Sequence, residues 1–166
     1  MRPGLPEWTV LAVTTERPVH GFAVAALTAA EGEIGRVWQI PRPIVYRAIG
    51  RLEESGLITA EAVEAAGGPP RTLYTATVQG REQVRSWLEA PVPHVRDMRS
   101  ELLLKLAIHH RQGSDPGPLV ERQRAVLGPI VTALEAELAG ADAFDRVLVA
   151  WRHASALAAV GFLDEL

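Results

Sequence analysis

The sequence predicts a mainly α-helical protein with one small β-hairpin, built in two parts, on three observations. Apolar residues recur at spacings of three and four up to Gly56, near two from Ile58 to Ala76, and at three and four again beyond. Gly67-Gly68-Pro69-Pro70 interrupts the period-two stretch as the connection of a hairpin. Ala90-Pro91-Val92-Pro93-His94 then breaks the chain, because two prolines in three residues favour extended backbone. The expected domains are therefore 1–90 and 91–166.

Glu7 to Thr15, with Trp8, Leu11 and Ala12 apolar and Arg17-Pro18 closing it, reads as a first short helix. His20-Gly21-Phe22 opens a second, in which Phe22, Ala25, Ala26 and Ala29 mark one face small enough for close helix approach. A turn at residues 31–35 follows, with Val37 and Trp38 as apolar anchors. Pro41 and Pro43 then start a third helix, since proline's missing amide has no intrahelical partner in a first turn. Val45, Ile49 and Leu52 share the side of this helix that faces a core, and Gly56 suits the left-handed position that ends it. Ile58, Ala60 and Ala62 line one strand, and Thr72, Tyr74 and Ala76 the next. Val84, Trp87 and Leu88 give Arg81 to Glu89 the pattern of a fourth helix. Past the proline break, Asp97 is expected to cap a helix carrying Met98, Leu102, Leu106 and Ala107. Leu119 to Leu138 marks a longer helix, kinked at Gly128-Pro129. The last helix repeats Phe144, Val147, Leu148, Trp151, Ala154, Ala158 and Phe162 at three and four, the pattern of a bundle seam.

Nearly half of the 166 residues are hydrophobic, which is enough for real cores. With no run of eighteen apolar residues and no secretion signal in MRPGLPEW, a soluble cytoplasmic protein with no membrane partner is expected. The absence of cysteine excludes disulfides, thiolate metal sites and cysteine nucleophiles. Adjacent His109 and His110 point about 100° apart on a helix and lack a carboxylate-rich partner motif, so no metal site is expected. His20, His94 and His153 show no triad spacing and no serine sits in a nucleophile elbow, so neither catalysis nor a cofactor has support.

The net charge of −3 gives no global case for a polyanionic partner, so only the distribution of charge argues for one. From Gly35 to Leu52 nothing is acidic, while Arg42, Arg47 and Arg51, with Tyr46 beside them, lie on the third helix. Lys105 is the single lysine, and arginine's planar fork suits bidentate contact with phosphate or guanine. Three short helices, a hairpin and a flanking helix are the parts of a winged helix-turn-helix in order, a fold whose third helix enters the major groove of DNA. Arg71 then stands near the tip of the hairpin, or wing. An ordinary solvated arginine face remains the alternative for the stripe, and a ring packed at the edge of the core the alternative for Tyr46.

Four segments resemble the PadR-type transcriptional regulators: residues 17–22 (RPVHGF), 45–58 (VYRAIGRLEESGLI), 67–74 (GGPPRTLY) and 95–106 (VRDMRSELLLKL). The family usually has tyrosine after the His-Gly pair, where this chain has Phe22. The resemblance implies a homodimer joined through C-terminal helices that binds a palindromic operator in double-stranded DNA and usually represses transcription. It further implies, for some members, release from DNA by a small hydrophobic or aromatic effector. It assigns the recognition-helix role to Arg42, Tyr46, Arg47 and Arg51 and the wing role to Arg71. The C-terminal pattern assigns the dimer interface to Leu102, Leu106, Phe144, Leu148, Trp151, Ala158 and Phe162, with Trp151 also the candidate effector contact. The rival is a winged-helix module that binds protein rather than DNA, which the overall acidity favours.

Overall fold

A computed structural model describes residues 3–64 and 71–166, without the side chains of residues 62–64 and 71. The hairpin connection Gly67-Gly68-Pro69-Pro70 lies outside the described residues. The chain forms two compact units, Met1–Leu88 with Leu103–Ser114, and Glu89–Leu102 with Asp115–Leu166. The first unit thus takes up a helix that lies after the proline break.

Helix α1 (Leu5–Glu16) runs through the core of this unit. Thr9 to Thr14 are all buried, more than the three apolar positions legible in sequence, because a helix apolar on every side must be covered on every side. The hydroxyls of Thr9 and Thr14 donate to the carbonyls of Leu5 and Leu11 and so remain satisfied without water. Strand β1 (Val19–His20) leads into α2 (Gly21–Leu27), where the His20 Nδ1 accepts from the Ala23 amide and caps the helix. The buried side of α2 differs from expectation: Gly21, Val24 and Ala25 are buried, while Phe22, Ala26 and Ala29 face outward.

Helix α3 (Arg42–Glu54) packs on α1 and α2 through Val45, Ala48, Ile49 and Leu52. Gly56 ends it at φ +69°, donating to the Glu53 carbonyl while Leu57 donates to that of Leu52. These two bonds satisfy carbonyls the helix leaves open, and the left-handed turn they need costs least at glycine. Strands β2 (Ile58–Glu64) and β3 (Arg71–Ala76) pair antiparallel, and β1 adds to β3 in the order β1-β3-β2. A register shift between Ala60 and Ala62 breaks the expected alternation, and Ala60 is exposed where Ile58 is buried. Helix α4 (Val78–Glu89) brings Trp87 onto Trp8 of α1, stacked at 5.1 Å. These are the parts of a winged helix-turn-helix, with a third, two-residue strand the sequence did not reveal.

Residues 95–112 are helical in three pieces, α5 (Val95–Asp97), a π-helical stretch (Met98–Leu102) and α6 (Leu103–Gln112). His94, not Asp97, is the residue before the first turn, and the Asp97 amide donates to the His94 carbonyl. Within the first unit, α6 buries Leu104 and Ile108 in the core and sets the Lys105 Nζ 5.0 Å from the Trp87 ring. Arg111 fastens its far end, with Nε 2.8 Å from Glu16 and Nη1 on Glu33. The Glu16 hydrogen bond, with help from Glu33, raises the Arg111 guanidinium above its ordinary pKa.

In the second unit, α7 (Gly117–Gly140) and α8 (Ala143–Asp164) form an antiparallel pair. Arg124 meets Asp164 at 3.3 Å and Arg152 meets Glu137 at 3.4 Å, so opposite ends of the two helices are matched. Helix α7 continues through Pro129 as one element. Val92, between the two prolines, is held by the fully buried Gln123, whose Oε1 accepts from its amide at 2.7 Å and whose Nε2 donates to its carbonyl at 2.9 Å.

Candidate nucleic-acid interface

At 100° per residue, burying Val45, Ala48, Ile49 and Leu52 leaves Pro43, Arg47 and Gly50 at the opposite pole of α3, with Glu54 on the same line at its last residue. The pole is open: Arg47 is exposed, and a Cβ at Gly50 would meet nothing within 4 Å. Arg42 and Tyr46 occupy one flank and Arg51 the other. The flanks are fastened differently. Arg51 Nη1 donates to Glu7 Oε1 at 3.1 Å, and the same buried carboxylate accepts the Gly4 amide at the start of α1. Arg51 is thereby tied to α1, with its exposed remainder at the edge of the pole.

On the other flank the Arg42 Cζ lies 5.4 Å from the Phe22 ring centroid and 5.6 Å from that of Tyr46. Tyr46 is 44% exposed, and its ring presses on Gly21, where an added Cβ would sit 2.8 Å from Cε1. Glycine in the His-Gly pair is what admits the ring. Tyr46 therefore serves the packing of α2 on α3 with one edge and faces outward with the rest. Among the described residues no carboxylate pairs with Arg42 or Arg47, so both guanidinium groups are available to an outside anion. Arg71 is the first residue of β3, and its side chain lies outside the described residues.

The structure thus brings Arg42 and Tyr46 together, stands Arg47 apart at the pole, and turns one nitrogen of Arg51 inward. Sequence reasoning passed over Phe22 and Glu7. The one sign of Phe22 was its departure from the family's tyrosine; Glu7 lies 44 residues from Arg51, beyond any local spacing. His109 is buried, its Nδ1 2.8 Å from Ser114 Oγ, while His110 is exposed, so the pair diverges as helix geometry requires. Among the described residues no three His, Asp or Glu side chains are placed to hold a metal ion.

On the candidate dimer surface, α8 presents Phe144 (68% exposed), Val147, Leu148 (48%), Trp151 (74%), Ala158 and Phe162 on one side, opposite the buried Val149, Ala156 and Leu163. Leu102 departs from expectation: it is fully buried within the single chain and has no surface to give a partner. Leu106 is half-buried on α6.

Residues 10–86 match the family described as transcriptional regulator PadR-like. No curated protein matches the chain. Among solved structures the chain is similar to PadR of Bacillus subtilis in complex with operator DNA, at 18% identity over 96% of each chain with a TM-score of 0.50. It is also similar to that protein in complex with p-coumaric acid, at 15% identity over 98% of this chain and 96% of the other, TM-score 0.48. A PadR-like transcriptional regulator of Bacillus cereus matches at 19% identity over 96% and 94%, TM-score 0.45. At these identities the likeness to the first speaks to the fold.

Proposed function

We propose that this chain, whose residues 10–86 belong to the transcriptional regulator PadR-like family, is a homodimeric DNA-binding repressor that reads two half-sites of a palindromic operator with α3. The observation that carries the reading is the open pole and flanks of α3, which hold three arginines and no acid before Glu53 on a chain of net charge −3. Such a face attracts phosphate and can present a guanidinium to guanine, while the acidic remainder repels DNA elsewhere. Binding is then strongly salt-dependent, log affinity falling by about 0.9 per phosphate neutralised for each tenfold rise in salt.

Arg47→Ala is expected to weaken binding to a duplex enriched by the protein itself by ~10- to 100-fold while the solution mass stays dimeric. A gel-shift titration showing no loss removes Arg47 from the groove. The acidity that motivates a protein-binding module makes its own prediction, that no genomic DNA is retained even at low salt; retention that falls with salt decides against it. For an apolar or aromatic effector the candidate contact is the exposed indole of Trp151. Titration with small phenolic acids should change its fluorescence and release bound DNA; an unresponsive complex removes that ligand class.

A further inference from the structure

Phe22 is an aromatic ring 53% exposed beside the helix assigned to DNA, and it carries no hydroxyl to offer a phosphate. Its structural partner is Arg42, whose guanidinium lies over both this ring and that of Tyr46. A cation held over ring faces keeps its N–H donors free, since these point outward in the guanidinium plane, and arrives with its orientation already restricted. Alongside lies a cleft of about 350 Å³ lined by Phe22, Arg42, Tyr46, Thr72 and Tyr74, with His20-Gly21 beneath. Because His20 Nδ1 accepts the Ala23 amide, the proton of the neutral ring sits on Nε2 as a further donor. Among the described residues the lining therefore offers one cation, three hydroxyls and an imidazole, and no carboxylate: the chemistry of an anion site. The cleft opens between the start of α3 and strand β3 of the wing, the two elements that the DNA-binding reading lays against the duplex.

Resting on the DNA-binding reading, we propose that this cleft clasps one backbone phosphate of the strand between α3 and the wing. Phe22 is the positioning residue that holds Arg42 for it. Phe22 acts through its π face, so apolar volume alone does not replace it.

The test is a scan of an enriched duplex with single methylphosphonates, which remove one phosphate charge at a time. For the unmodified protein, one position in each half-site should cost about tenfold or more. Arg42→Ala should lose affinity by a similar factor, lower the salt slope by about 1 per site, and become insensitive at that position. Phe22→Leu should weaken binding by about two- to fivefold and blunt the same position, and Phe22→Tyr should restore both. Melting curves check that each variant is folded, as the exposure of both residues leads one to expect. A Phe22→Leu protein that binds like the parent, or identical scans for the parent and Arg42→Ala, overturns the clasp. So does a flat scan together with Arg42-dependent, saturable binding of inorganic phosphate, which would give the cleft to a free anion. Failure to retain any duplex at low salt overturns the DNA-binding reading itself, a result distinct from these.

Discussion

Placing a glutamate at Trp151 or Leu148 is expected to convert the protein to a folded monomer and to lower operator affinity by about 10²- to 10⁴-fold. The side chains of Phe144, Val147, Leu148, Trp151, Ala158 and Phe162 form a continuous apolar strip along a 22-residue helix whose other side is already packed on α7. Among the described residues of the second unit nothing packs over it, and an exposed apolar strip of this length fits the partner surface of the proposed dimer. By length and composition α8 would also suit a bilayer, but Arg146, Arg152 and Asp164 along it, with Arg152 and Asp164 in ion pairs to α7, favour a second protein chain. Two copies meeting on this strip bury it reciprocally, as a twofold axis requires. The charge acts at the partner surface and not on the fold, because both residues are exposed in the single chain. Loss of the proposed dimer would separate two half-site contacts that otherwise act at the high effective concentration of one molecule. Sedimentation measures the mass and a gel shift the affinity; a variant that stays dimeric moves the interface off α8.

Gln123→Leu is expected to destabilise the second unit by about 2 to 5 kcal/mol. Between Pro91 and Pro93 the Val92 amide is the sole backbone donor of that tripeptide, and it is buried with its carbonyl against the Gln123 side chain. Leucine has nearly the volume of glutamine and neither polar atom, so both Val92 groups would remain buried and unpaired. The loss should appear as a fall of about 1 to 2 M in the urea midpoint of the affected transition. An unchanged midpoint would mean that water reaches Val92 and replaces the side chain.

What was legible in the sequence was what short-range pattern encodes. Pro41-Arg42-Pro43 and Gly56 bracket α3, and Val45, Ile49 and Leu52 point inward as their spacing demands, because capping and periodicity act within a few residues. Strand β1 escaped because two residues carry no period of their own and are strand only through Tyr74 and Leu73 opposite. The outward turn of Phe22 escaped because the buried side of a seven-residue helix is set by its packing on α3, where Gly21 admits the Tyr46 ring, and not by composition. At the site, the arginines could be named from sequence but not their attachments. Arg51 on Glu7 is a contact across 44 residues, and the cation over Phe22 and Tyr46 joins α2 to α3 through their tertiary packing.

The membership of α6 in the first unit has a consequence for synthesis. Leu104 and Ile108 complete a core whose other members end at Leu88, and Arg111 closes on Glu16 across 95 residues. At a few to some twenty residues per second, the nascent chain spends about 1 to 5 s with Leu88 made and Ser114 not yet added. Through that interval the apolar sites that receive α6 are uncovered. The core of the first unit can therefore close completely only after the proline break and residues 95–102 have been synthesised, so segments that belong to the second unit are made before the first is finished.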